Sequence, residues 1–236
     1  MPELKLILLL VIAHLLADFS LQSQSMSDKK ERKIFTKYHV YHVLIVGILS
    51  YLLSFDPGFW IGALVLTVIH LFTDMLKSWL LLKNNTRNYF FLDQFIHMVS
   101  VILIVFAYSG IFEIDFLFDF SAKTVAIIAA FIFCSKPSNI FIKYLFLAFS
   151  IQTPVDNPDK PDDQSLPNAG KLIGVVERYM ALALIIIGQF QAVGLIIAAK
   201  SILRFSRTQK SEYVLVGTLL SFGIAMFAGI LISLIN

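Results

Sequence analysis

Eight predominantly apolar runs separated by short polar stretches limit what this chain can fold into. They are Leu4 to Gln22, His39 to Phe55, Phe59 to Leu82, Leu92 to Phe112, Ser121 to Ser135, Lys171 to Gly188, Phe190 to Phe205 and Tyr213 to Ile235. A membrane-spanning helix needs about 20 mostly apolar residues at ~1.5 Å rise each, and these runs meet or approach that length. Composition agrees: 58% of the residues are hydrophobic and 15% charged, where a soluble globule carries roughly 25% charged. The expected fold is an all-α polytopic membrane bundle of about eight spanning helices. The first run contains His14 and Asp18 and is not followed by a small-x-small cleavage site, so it is read as a retained helix rather than a signal peptide. The single cysteine, Cys134, says nothing of redox compartment. Nothing supports nucleic-acid binding.

Two segments need a decision. Pro137 can open a new helix at its first turn, and Ile140 to Ile151, about 12 residues, is too short to span and is expected to lie in the interface. Lys171 to Phe205 is expected to be a hairpin broken at Gly188-Gln189. With these choices one face receives Lys29, Lys30, Lys77, Lys83, Lys136, Lys200, Arg204 and most other cations, while the opposite face receives only Lys5 and Lys123. The positive-inside rule then puts both termini on the outer side. The stretch 152–168 (QTPVDNPDKPDDQSLPN) lacks apolar periodicity and is expected to be a flexible cytoplasmic linker. It would join an N-terminal bundle (1–151) to a C-terminal three-helix segment (169–236).

All five histidines fall in the first hundred residues. Three pair with aspartate at i,i+4, as His14/Asp18, His70/Asp74 and Asp93/His97, and residues four apart share a helix face. The order of His and Asp reverses in the fourth run, which runs opposite to the first and third. His14, His70 and His97 are therefore expected in one layer, with Asp18, Asp74 and Asp93 ~6 Å nearer the cytosol. His39 and His42 join near the upper layer. The repeated H-L-x-x-D at 14–18 and 70–74 points to a tandem repeat of the first and second runs by the third and fourth.

Ionisable residues inside spanning helices cost roughly 2.5–3.5 kcal/mol each on insertion scales and usually serve function. Imidazole with carboxylate suits zinc, manganese or iron. The expected ligands of one or two ions are His14, Asp18, His39, His42, His70, Asp74, Asp93 and His97. The alternative is that each His/Asp pair is a helix-to-helix hydrogen-bond clamp without metal. In the C-terminal half, Arg178 lies below the interface, where the positive-inside bias does not account for it. Together with Lys200 and Arg204 it is expected to bind a phosphate or another anionic group. An ion pair with Glu177 or Glu212 is the plainer alternative.

The segments His14 to Gln22 (HLLADFSLQ), His70-x3-Asp74 with Lys77, Leu92-Asp93-Gln94-x2-His97, Asn168 to Arg178, Gly188-Gln189-Phe190, Ala199 to Phe205 and Glu212 to Ser221 together resemble a family of integral membrane proteins catalogued as domain of unknown function 3307. The resemblance implies a bacterial cytoplasmic-membrane (inner-membrane) protein and no particular activity. Lys171 stands where many members would be expected to carry Arg.

These readings lead to a membrane-embedded metal-dependent hydrolase of an amphiphilic or phosphate-bearing substrate. Asp74, Asp93 and Arg178 are expected at the reacting centre and Lys200 and Arg204 on the anionic group, with the bilayer and anionic lipid as partners. A metal or small-solute transporter, or a non-catalytic structural or regulatory subunit, are the alternatives.

Overall fold

The computed structural model describes residues 1–84, 88–151, 169–205 and 211–235; within these, the side chains of 169, 203–205 and 211–214 are outside the description. The expected linker 152–168 and the side chains of Arg204 and Glu212 thus lie outside the described residues. All regular structure among the described residues is helical: α1 (Pro2–Leu15) continuing into a π turn (Leu16–Leu21), α2 (Gln24–Glu31), α3 (Lys37–Ser54), α4 (Trp60–Lys83), α5 (Tyr89–Ser109), α6 (Ala122–Phe133), α7 (Lys136–Ala148), α8 (Ala169–Ile186), α9 (Phe190–Phe205) and α10 (Ser211–Ser233). The chain divides into two compact units, Met1–Ala129 and Ala130–Asn236.

In the first unit α1 packs on α3 and α5, and α4 packs on the same two helices, so the four close into a ring. Leu6 and Leu10 of α1, Ala63 and Leu66 of α4, and Val101, Ile104 and Val105 of α5 fill one half of the ring with apolar side chains. Phe59 and Tyr108 extend this core to the end where Asp56 accepts hydrogen bonds from Tyr108 Oη (3.0 Å) and Gly58 N (2.8 Å). The other half of the ring is polar. The short helix α2 lies against α3 and α4, capped by Ser23, whose Oγ accepts from Met26 N.

The outer faces are apolar. Ile48 on α3, Leu64 and Phe72 on α4, and Phe95 and Leu103 on α5 are each more than half exposed. An apolar exterior around an interior that is polar in one half is unlike a water-soluble bundle, and it suits a lipid solvent. Among the described residues, four helical segments are long and apolar enough to cross a membrane: Pro2–Leu21, Pro57–Lys83, Tyr89–Ser109 and Leu215–Ser233. The bent pair α6 and α7 makes a fifth if it is counted as one span.

That number differs from the eight runs read from sequence, and the reasons are local. At 12 residues α6 rises about 18 Å, well short of a ~30 Å hydrocarbon core. It joins α7 at an angle of 52°, and α7 starts at Lys136 with Pro137 in its first turn, the helix expected to open there, and runs to Ala148. The first turns of α3 carry Lys37, Tyr38, His39, Tyr41 and His42, which dilute its apolar character, and α8 holds three charged residues, Lys171, Glu177 and Arg178.

In the second unit α8 packs extensively on α10, with α7 and α9 alongside. Gly229 permits this approach: a Cβ there would stand 2.5 Å from Ile185 Cγ2. The run from Lys171 breaks at Gly188, whose positive φ of 77° ends α8. Gln189 N donates to Leu184 O (2.7 Å) and Gly188 N to Ile185 O (2.9 Å), the paired bonds of a Schellman turn.

Candidate metal centre

Each helix of the ring contributes one imidazole to its polar half: His14 from α1, His42 from α3, His70 from α4 and His97 from α5, all buried. The rings of His70 and His97 stack at 3.9 Å between centroids, and His14 and His42 flank them at 5.1 Å from His97 and 5.0 Å from His70. The three i,i+4 contacts form, with His14 Nδ1 to Asp18 Oδ1 3.5 Å, His70 Nε2 to Asp74 Oδ2 3.9 Å and His97 Nε2 to Asp93 Oδ1 3.3 Å. Asp18 sits in the π turn, whose wider i,i+5 winding (Gln22 N to Ala17 O, 3.0 Å) interrupts α1 at this point. Such turns frequently mark functional positions.

Asp18 stands close to both His42 and His70. Asp18 Oδ1 lies 3.4 Å from His42 Nε2 and 3.6 Å from His70 Nε2, and the two nitrogens are 3.0 Å apart. Ligands held about 2.0–2.1 Å from a tetrahedral ion stand about 3.3 Å from each other, so these three edges match one face of such a shell. Three overlapping groups can hold a metal ion, namely His14/Asp18/His70, His42/His70/Asp74 and Asp74/Asp93/His97. Among the described residues, the buried side-chain nitrogens and oxygens without a hydrogen-bond partner are Asp18 Oδ1, His42 Nδ1, Asp93 Oδ1 and His97 Nε2. All four belong to this layer, and buried polar atoms without partners call for a physical explanation.

Two of the three carboxylates carry a cation from the chain itself. Lys30 Nζ at the end of α2 donates to Asp74 Oδ2 at 2.5 Å, and Lys77 Nζ donates to Asp93 Oδ2 at 3.1 Å. Among the described residues Asp18 has no lysine; its Oδ2 accepts from Gln94 Nε2 (3.5 Å), which also reaches Asp93 Oδ2 (3.2 Å), while Gln94 Oε1 faces His14 Nε2 at 3.1 Å. His39 is buried but turned away from the group. Its Nδ1 accepts from Thr36 N (3.1 Å), completing the cap of α3, and its Nε2 meets Ser78 Oγ at 3.3 Å. Both ring nitrogens are thus taken up outside the ligand groups, which corrects its expected place among the ligands. A small cavity with room for about one water molecule adjoins the imidazoles, bounded by His14, His70 and His97 with Ser50 and Ser100.

With this geometry in view, a family model described as protein of unknown function (DUF3307) matches residues 6–127. That is just over half of the chain. The chain belongs to this family. No curated protein and no solved structure matches it. The matched stretch of this DUF3307 protein contains every residue of the polar layer, from His14 to His97, whereas the motifs between Asn168 and Ser221 lie beyond it.

Those later motifs build a different arrangement. Arg178 of the DUF3307 chain is 1% exposed. Its Nε donates to Cys134 O (2.6 Å), Nη1 to Ser221 Oγ (3.0 Å), and Nη2 to Ser135 O (3.3 Å) and Asn139 Oδ1 (2.6 Å). The guanidinium therefore holds the bend between α6 and α7, where backbone carbonyls run out of helical partners, and its positive charge suits that helix end. Lys200 is paired with Glu177 and lies over the Phe222 ring at 5.7 Å. Glu177 thus takes Lys200, the described acceptors of Arg178 are neutral, and the Glu212 side chain lies outside the described residues.

Sequence reasoning assigns Lys30, Lys77, Gln94 and Ser78 no place at the site, although Lys77 and Gln94 stand in the motifs that carry the family resemblance. Lys77 was legible, since it stands one turn after Asp74 on α4 beside the group. Lys30 comes from a separate short helix, and no local spacing signals it.

Proposed function

We propose that this protein is a membrane-embedded metalloprotein whose centre is held by Asp18, His42 and His70, with His14 at its edge, and that it hydrolyses an amphiphilic, phosphate-bearing substrate. The observation that carries the reading is Asp18 Oδ1: it has no hydrogen-bond partner, yet three imidazole nitrogens stand 3.4–3.6 Å from it. Two imidazoles and one carboxylate suit zinc or iron(II). Manganese prefers more oxygen ligands, and two of the carboxylates are committed to lysines. Such an ion would supply an acidified water, for which Asp74 and Asp93 would serve as proton acceptors nearby. The apolar core on one side of the layer favours a one-sided site over a transport path.

Metal content of purified protein tests the reading. Wild type is expected to hold about one transition-metal ion per chain, and Asp18→Asn and His42→Ala to lose it with helicity unchanged. Wild type that takes up no metal after zinc or iron supplementation would overturn the proposal. It would favour instead a polar network that fixes helix pairing, a reading supported by the two Lys/Asp pairs. Release of phosphate from phosphorylated lipids in vesicles, abolished by Asp18→Asn, is the corresponding activity test.

A further inference from the structure

The lysine of α2 does more than neutralise a buried carboxylate. Asp74 Oδ2 lies 3.8 Å from His42 Nε2 and 3.9 Å from His70 Nε2. It therefore lies against the same two nitrogens, 3.0 Å apart, that stand 3.4 and 3.6 Å from Asp18 Oδ1. It stands a few tenths of an ångström farther from both nitrogens than Asp18 Oδ1 does, and the same oxygen accepts from Lys30 Nζ at 2.5 Å.

Lys30 is itself held from behind. Ser78 Oγ donates to Lys30 O (3.2 Å) and meets His39 Nε2 (3.3 Å), and His39 Nδ1 accepts from the N–H of Thr36. With Nδ1 accepting, the neutral imidazole carries its proton on Nε2, so the bonds run in one direction from His39 through Ser78 to the last turn of α2. This chain fixes the end of α2 on α4, and with it the stem of Lys30.

Building on the metal centre proposed above, we propose that Lys30 is a positioning residue that keeps Asp74 off the ion. It thereby leaves a three-ligand centre whose fourth position is open to water or to an anionic oxygen of a substrate. Three protein ligands with an open position are the mark of catalytic zinc sites, whereas four closed ligands mark structural ones. An ammonium pairs with one carboxylate oxygen at a time and cannot take a place in the shell itself, so it restrains Asp74 without competing for the imidazoles. Without Lys30, the buried Asp74 carboxylate would lose the cation that holds its Oδ2, and it would close the shell.

The experiment uses the full chain in detergent, loaded with cobalt(II), and reads the visible ligand-field spectrum with and without azide. Wild type is expected to change its spectrum on azide addition, because azide takes the open position. Lys30→Met is expected to become insensitive to azide and to release cobalt to a chelator at least about tenfold more slowly. Lys30→Met with Asp74→Asn, which removes both charges, is expected to regain the azide response. Lys30→Met that responds to azide as wild type does would overturn the inference. So would a wild-type cobalt spectrum that azide leaves unchanged, a measurement that holds even if Lys30→Met does not fold. Failure of wild type to bind cobalt at all would overturn the metal centre itself, a separable result.

Discussion

Gln94 shows how a neutral side chain can govern a charged site. Its amide nitrogen reaches both Asp18, which is not paired with a described lysine, and Asp93, which is paired with Lys77, and its carbonyl oxygen faces His14. An amide has a donor end and an acceptor end, so it can direct N–H toward two carboxylates and oxygen toward an imidazole at once. Neither Glu nor a hydrophobe can do this. Gln94→Leu is therefore expected to leave the four imidazoles in place and to weaken metal retention by about 10–100-fold, as loss of a group that orients ligands usually does. Titration of the purified variant with a competing chelator measures this. Retention equal to wild type would mean that Gln94 is a packing residue only.

At the scale of elements, the bend between α6 and α7 depends on α8. Two backbone carbonyls, Cys134 O and Ser135 O, and the side chains of Asn139 and Ser221 all receive their hydrogen bonds from Arg178. Replacement by an apolar residue of similar length would strand these acceptors away from water. Arg178→Met is expected to destabilise the second unit by on the order of 1–3 kcal/mol for each acceptor left without a partner. Denaturation in detergent monitored by circular dichroism reads this as a lower midpoint. Metal content is expected to stay at the wild-type level, because no ligand of the proposed centre belongs to that unit. Loss of metal in this variant would restore a role for Arg178 at the centre.

For the molecule as a whole, the distribution of polarity decides the solvent. The ring of α1, α3, α4 and α5 encloses imidazoles, carboxylates and lysines and turns Ile48, Leu64, Phe72, Phe95 and Leu103 outward. If lipid covers that exterior, a charge placed on it costs about 2.5–3.5 kcal/mol at mid-depth. Leu103→Arg, on a side chain 63% exposed near the middle of α5, is expected to lower the fraction recovered in carbonate-washed membranes severalfold. The same substitution on a water-facing helix would be nearly neutral. Recovery equal to wild type would argue that α5 does not face lipid.

The sequence by itself determined most of the helices and their local punctuation, α2 and the π turn excepted. The apolar runs, the break at Gly188, the new helix opened at Pro137 and the i,i+4 spacing of each His/Asp pair depend on residues within a turn or two of one another, and short-range hydrogen bonding and hydropathy encode them. Tertiary structure alone decided which charges meet. Lys30 and Lys77 read as ordinary cations of one membrane face, His39 as a ligand beside His42, and Arg178 as an anion site or the partner of Glu177. Each found its partner by the way helices distant in the chain pack: Lys30 on Asp74, His39 on Ser78, Arg178 on the bend after α6. A buried charge takes whichever counter-group or dipole the packing brings within about 3 Å, and burial makes that choice costly to leave unmet. Spacing along one helix carries no record of it.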